Sequence, residues 1–222
     1  YNDQVVFQNG VIGVVGCDGK IEDAKNDSGK LYIDIGCTSK EDTEKYVKVG
    51  DYAGFVGPWY ELQNGRISAK TFDDRVGCFM LLEAVKRNKG DCPNDVYYVF
   101  SVQEEVGCFG GKTAAYTLRP DIAIAVETTT AGDLAGVPEE KKVCRLGNGP
   151  VVSFMDRGTI YTYDLYKKVR ALADAHNIPN QTKEAVCGGN ESRSSSSVFS
   201  MSFSSATQAG ECRYRLGMEI AS

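Results

Sequence analysis

Histidine is nearly absent from this chain: His176 is the single histidine among 222 residues. Hydrolytic zinc sites commonly use histidine ligands, so a metal site built from these residues must depend on other donors. No apolar stretch approaches the roughly 18 residues of a membrane-spanning helix. Basic residues form no cluster of the kind that binds nucleic acid, and no signal peptide is visible. The sequence therefore predicts neither a membrane nor a nucleic-acid partner.

Cysteine is present without a recognisable pairing pattern. The eight cysteines are spread along the chain, and none forms a Cys-x-x-Cys motif. Scattered cysteines in a chain of this length favour buried free thiols of a cytosolic protein over a disulfide framework. The composition is that of a globular protein, with 42% hydrophobic residues and a formal net charge of -5. The length allows one large domain, or a main domain with a small one.

The first part of the chain, residues 1–68, is predicted to be a small β unit. Short apolar runs alternate with turn sequences such as Asn9-Gly10, and residues 40–48 add one short helix. The apolar runs are 5–7, 11–15, 31–35 and 51–55. The pattern is typical of a small barrel or a PDZ-like module, and it contains no obvious chemistry.

The second part, residues 69–222, changes to alternating helices and strands. We predict helices at 76–87, 112–118 and 161–176, and strands at 96–102, 122–126 and 151–154. Alternation of this kind indicates an α/β domain with a mainly parallel sheet. The serine-rich tract at 191–205 is predicted, taken alone, to be flexible.

Acidic residues occur where this pattern places an edge of the sheet. Asp73 and Asp74 precede the first helix, Glu104 and Glu105 follow the apolar strand at 96–102, and Glu127 ends the next strand. Adjacent ionised carboxylates at the end of a buried strand are costly unless something compensates them. A bound cation is the commonest compensation, and a carboxylate left free beside it can act as a base. A metal-dependent hydrolase is therefore the first hypothesis.

Each acidic residue also has a plainer interpretation. Asp73 or Asp74 is placed to cap the helix, and Arg75 could neutralise either one. A solvated loop would explain one glutamate of the Glu104-Glu105 pair. His176, near the end of a helix, is predicted to be a surface residue and not a ligand. Glycoside hydrolysis by a carboxylate pair is disfavoured, because two adjacent residues cannot flank one bond.

Taken together, these motifs resemble the glutamyl aminopeptidase and tetrahedral aminopeptidase family, which are two-metal exopeptidases. The matching stretches are in family order and span nearly the whole chain. They are 31–36, 48–51, 69–78, 102–107, 125–133, 147–152, 155–157, 178–181 and 188–191. The resemblance implies a mainly parallel sheet with helices on both faces. It also implies that residues 1–68 are the inserted dimerisation domain. Residues 69–222 would then be the catalytic domain without its N-terminal segment.

The resemblance also implies a role for each acidic residue. Asp73 would bridge two divalent metal ions (zinc or cobalt), with a cis peptide bond to Asp74. Glu105 and Glu127 would each bind one ion, and Glu104 would be the general base for a water held between the ions. The substrates would be short peptides that lose their N-terminal residues. The protein would be cytoplasmic, with dimers that assemble into a tetrahedral dodecamer.

Two expected histidine ligands of the family are not found in this chain. The first lies upstream of the β module in the family, and Leu216 stands where the last is expected. Three of five expected ligands remain, so we expect weak binding at the second metal and little activity from the 222 residues as they stand. The alternative function is a non-catalytic scaffold or assembly subunit of the same fold, although retention of Glu104 argues against it.

Overall fold

The computed structural model describes residues 3–24, 27–189, 198–205 and 216–217. The chain divides into two compact units, Tyr1–Pro58 and Trp59–Ser222. The strands are β1 Gln4–Phe7, β2 Ile12–Cys17, β3 Leu31–Asp34, β4 Ala53–Phe55, β5 Tyr60–Leu62, β6 Arg66–Ser68, β7 Ala123–Thr130, β8 Val151–Ser153, β9 Gln181–Thr182, β10 Val198–Ser205 and β11 Leu216–Gly217. The helices are α1 Ile21–Ala24, α2 Lys40–Thr43, α3 Phe72–Arg87, α4 Phe109–Leu118 and α5 Tyr163–Ala175.

The first unit contains one antiparallel sheet in the order β3-β2-β1-β4. Each of the four predicted apolar runs overlaps a strand of this sheet. Gly10 has a φ of 90° in the tight turn between β1 and β2, a conformation that glycine adopts at little cost. The helix α2 begins where Ser39 accepts a hydrogen bond from the Asp42 amide, at 3.1 Å. The sequence placed the boundary at residue 68, whereas the hairpin of β5 and β6 lies in the second unit.

The second unit contains a mixed sheet, so the expectation of a mainly parallel sheet is not confirmed. Its order is β5-β6-β11-β10-β8-β9, and β7 pairs with β10. Parallel pairing joins β7 to β10 over eight residues and β8 to β9, while the four other pairings are antiparallel. The turn at 63–65 shows one reason. Parallel neighbouring strands need a long crossover connection, and this turn is too short for one, so β6 must run antiparallel to β5.

The predicted flexibility of the serine-rich tract is wrong for its second half. Val198–Ser205 forms β10, which pairs with β7, β8 and β11. Alternation of Phe199, Met201 and Phe203 with serine is the two-residue period of a strand, and the serine content obscured it. The remainder of the tract, 191–197, lies outside the described residues.

The predicted strand at 96–102 is also not observed. No strand in the described part of the chain pairs with this segment. Val96, Tyr97, Val99, Phe100 and Val102 are 40–69% exposed. An apolar run predicts burial, but a strand also requires a partner strand for its backbone hydrogen bonds.

The helices agree more closely with the sequence. The helix α3 packs against β7, which brings the N-terminal end of the helix to this strand, and α5 packs against β8 and β10. The helix α5 ends at the exposed His176, as predicted, and Asn177 follows with a φ of 56°. One buried cluster joins Ala131, Cys144, Leu146 and Val151. None of the described helices combines the length and apolar character needed to cross a membrane.

Seven of the eight cysteines lie in the described residues, and all seven are free thiols, as predicted. Of the seven described cysteines, Cys108 and Cys144 alone are buried, so the expectation that the thiols are generally buried is wrong. Cys78 and Cys92 are exposed.

Candidate metal centre

Three carboxylates converge where α3 meets β7. Asp73 and Asp74 lie in the irregular first turn of α3, and Glu127 lies within β7, three residues before its end. Their carboxylate oxygens lie within 4.8 Å of one another, and all three residues are half-buried. The peptide bond between Asp73 and Asp74 is cis, as the family resemblance implied.

Asp74 also caps the regular part of α3. Its Oδ1 accepts a hydrogen bond from the Gly77 amide at 3.0 Å, three residues further along the chain. Asp73 and Asp74 have non-helical backbone angles, so regular α3 begins after them. A Cβ atom on Gly77 would lie 2.2 Å from Asp74 Oδ2. The absence of a side chain at Gly77 therefore allows this carboxylate its observed position.

The cluster retains protons at neutral pH. Burial raises the pKa of Asp74 to about 7, and the charges of Asp73, Glu104 and Glu105 act in the same direction. Burial likewise raises the pKa of Glu127 to about 9, with contributions from Asp74 and from a hydrogen bond with Asp73. The Thr128 amide donates a hydrogen bond to Glu127 at 2.9 Å and opposes this effect.

No ion pair neutralises the cluster within the described ranges of the chain. Arg75, the candidate partner from the sequence, is exposed and forms no ion pair with a described residue. Lys183 is a nearby cation whose pKa is lowered mainly by burial, while Glu127 is among the groups that oppose this effect. The amino group of Lys183 donates its hydrogen bond to the Cys187 carbonyl. Among the described residues, no cation forms an ion pair with these carboxylates.

Glu104 and Glu105 approach the cluster from the turn before α4. Glu104 is half-buried and Glu105 is exposed. The pKa of Glu105 is raised, first by partial desolvation and then by the charges of Asp73 and Glu104. These mutual effects indicate that the turn and the N-terminal end of α3 face one another.

The structure groups the candidate ligands differently from the sequence. The sequence assigned Asp73, Glu105 and Glu127 to metal binding, whereas the close cluster contains Asp74 in place of Glu105. The sequence treated Asp74 as a candidate cap and as the cis partner of Asp73. The sequence feature that could have indicated this role of Asp74 is the pair of adjacent aspartates. One of two adjacent carboxylates can cap the helix and still face the cluster.

The donor set of the cluster suits a divalent cation. Three half-buried carboxylates close together, with no ion pair to a described residue, are unfavourable when ionised unless a cation joins them. Oxygen donors of this kind accept magnesium and manganese readily, and zinc and cobalt as well. Leu216 lies in β11 opposite Ile67 and, as a leucine, has no ligand atom to offer.

Comparison with known proteins identifies the family. The sequence profile of the M42 glutamyl aminopeptidase family matches residues 3–207, so the chain belongs to this family. A protein of Acetivibrio thermocellus with a provisional aminopeptidase name is 42% identical over 190 residues, which are 85% of this chain and 56% of that protein.

Two solved structures support the same assignment. The TET aminopeptidase of a marine sediment Thaumarchaeota archaeon has a TM-score of 0.86 and 31% identity, covering 98% of this chain and 66% of its own. The TET1 peptidase of Pyrococcus horikoshii has a TM-score of 0.76 and 29% identity, covering 96% of this chain and 66% of its own. That peptidase assembles into a tetrahedron or a large octahedral shell. The present chain spans about half the length of the curated relatives it matches.

Proposed function

We propose that this chain belongs to a metal-dependent aminopeptidase that removes N-terminal residues from short peptides. The observation that supports this most directly is the half-buried cluster of Asp73, Asp74 and Glu127, in which burial raises the pKa values of Asp74 and Glu127. Membership of the M42 family supports the peptidase activity. The metal identity, zinc or cobalt, and the count of two ions remain predictions.

The acidic residues of the site would have two roles in the reaction, which are metal binding and proton transfer. Asp73, Asp74 and Glu127 would hold the cation, with Glu105 beside them as a further ligand. When bound, the cation would polarise the scissile carbonyl and make the attacking water more acidic. Glu104 would accept a proton from that water and deliver it to the amine as the C–N bond breaks.

Hydrolysis of aminoacyl anilides by the purified chain, with added cobalt or zinc, tests this proposal. We expect Glu104→Gln to lower kcat by about 100-fold or more, because the proton acceptor is lost. The matched control is Glu140→Gln, since Glu140 is an exposed glutamate outside the site. Turnover that survives Glu104→Gln would contradict the assigned base. Because two expected histidine ligands are not found in this chain, we expect the turnover of the 222 residues to be low; absence of both turnover and metal binding would favour the non-catalytic scaffold.

We also propose that the protein forms a homo-oligomer. The assembly of the similar TET1 peptidase supports this proposal. The dimerisation role of the N-terminal β unit and the cytoplasmic location stay predictions from the family resemblance. Sedimentation velocity of the chain tests the assembly, and a monomer at all concentrations would contradict it.

A further inference from the structure

We propose that the thiol of Cys108 is a positioning group that holds the carboxylate of Glu104 by a hydrogen bond. Its significance for the reaction depends on the proposed role of Glu104 as general base. Cys108 Sγ lies 3.3 Å from Glu104 Oε1, within the usual range for a hydrogen bond from sulfur. Cys108 is only 3% exposed, so water has little access to this contact from the side of the thiol.

The backbone of the turn fixes the two side chains against one another. The Glu104 carbonyl accepts hydrogen bonds from the amides of Gly107 and Cys108, at 3.0 and 2.9 Å. Gln103 and Cys108, which flank the turn, have φ values of 61° and 58°. The turn therefore folds back on itself and brings the side chains of Glu104 and Cys108, four positions apart, into contact.

A second hydrogen bond joins the residues on either side of this turn. The Gly110 amide donates to the Val102 carbonyl at 3.0 Å, and a Cβ atom on Gly110 would lie 2.4 Å from that oxygen. Only a residue without a side chain allows this approach, so Gly110 at the start of α4 ties the helix to the residues that precede Glu104. Cys108 is held just before α4 and is not free to swing away from the carboxylate.

The chemistry of a thiol suits this task. An ionised carboxylate only accepts hydrogen bonds, and a thiol is a weak donor. The bond to Oε1 orients Glu104, and the other carboxylate oxygen, Oε2, would accept the proton of the attacking water. An apolar residue at this position would offer no hydrogen bond and would leave the carboxylate to rotate. If Cys108 only filled space in the core, replacing it would not change the orientation of Glu104.

Infrared spectroscopy of the S–H stretching band tests the contact without requiring activity. The difference between wild type and Cys108→Ala isolates the Cys108 band, and the Cys144→Ala difference gives the matched control of a second buried thiol. We expect the Cys108 band at lower frequency than the Cys144 band, and we expect Glu104→Ala to raise only the former. A Cys108 band that Glu104→Ala leaves in place would overturn the proposal. If Cys108→Ala does not fold, Cys108→Ser isolates the same band.

Kinetics then test the consequence for the reaction. We expect Cys108→Ala to lower kcat about three- to tenfold with KM unchanged, as befits loss of one modest hydrogen bond. Cys108→Ser should recover part of this loss because its hydroxyl still donates. Equal kcat in wild type and both variants, or a serine variant no better than alanine, would refute a positioning role. If wild type shows neither turnover nor metal binding but the infrared shift is present, the proposed function fails while the contact between Cys108 and Glu104 stands.

Discussion

The raised pKa values of the carboxylate cluster predict that a divalent cation displaces protons when it binds. The pKa of Asp74 is about 7 and that of Glu127 is about 9, and burial is the leading cause of both. A cation binds ionised carboxylates, so the protons that these groups retain must leave. The affinity of the chain for the cation should accordingly rise with pH.

The number of protons released follows from the two pKa values. At pH 7 Asp74 contributes about half a proton and Glu127 about one, so about 1.5 protons leave per binding event. At pH 6 both groups are almost fully protonated, and the release approaches about 2. At pH 8 only Glu127 still holds most of its proton, and the release falls to about 1.

Isothermal titration of the chain with cobalt, in buffers of different ionisation enthalpy, measures this release directly. The slope of the observed heat against the buffer enthalpy is the number of protons transferred. Glu127→Gln should reduce the release at pH 8 to nearly zero, while Glu140→Gln should leave it unchanged. A release that is near zero at pH 6, or that does not fall between pH 6 and pH 8, would show that Asp74 and Glu127 do not lose protons when the cation binds.

Three further predictions concern stability, geometry and assembly. Because the folded-state pKa values of Asp74 and Glu127 lie above the ordinary carboxyl values of 3.8 and 4.5, their contribution to stability is greatest at low pH. It is lost as pH rises through about 7 and about 9. Thermal unfolding measured with a chelator present should show this fall in stability with rising pH, and Asp74→Asn should make the fall smaller. An Asp74→Asn variant that unfolds at a lower temperature than wild type at pH 8 would contradict this prediction. Gly77→Ala should weaken cobalt binding about tenfold, because the new Cβ displaces the Asp74 carboxylate, and unchanged affinity by titration would argue against that geometry. Finally, Val5→Asp in the first unit, where Val5 is 3% exposed, should disrupt its sheet and reduce the sedimentation coefficient of the oligomer; an unchanged assembly would contradict a dimerisation role for this unit.

The sequence predicted those features that depend on residues close to one another along the chain. The helix α5 and the exposed position of His176 follow from a regular apolar period and from Asn177 at its end. The acidic positions that matter were visible because Asp73-Asp74 and Glu104-Glu105 adjoin apolar runs. The cap on α3 was also visible, although it gave no indication that Asp74 serves the cluster as well.

The remainder depended on contacts between distant parts of the chain. Whether the segment at 96–102 forms a strand depends on a partner, and its apolar residues carry no information about one. The serine-rich residues of β10 become a strand because β7 and β8 pair with them. The direction of each pairing follows from the connections, so a count of alternating elements overestimated the parallel content. The contact between Cys108 and Glu104 likewise depends on backbone angles that no spacing rule predicted.

Metal analysis of the chain after equilibrium dialysis against cobalt or zinc shows whether the carboxylate cluster binds a divalent cation. The account predicts at least one tightly bound divalent ion per chain, its loss in Asp73→Asn, and its retention in Glu140→Gln. A wild-type chain that retains no ion, or an Asp73→Asn variant that binds as much metal as wild type, would contradict the account.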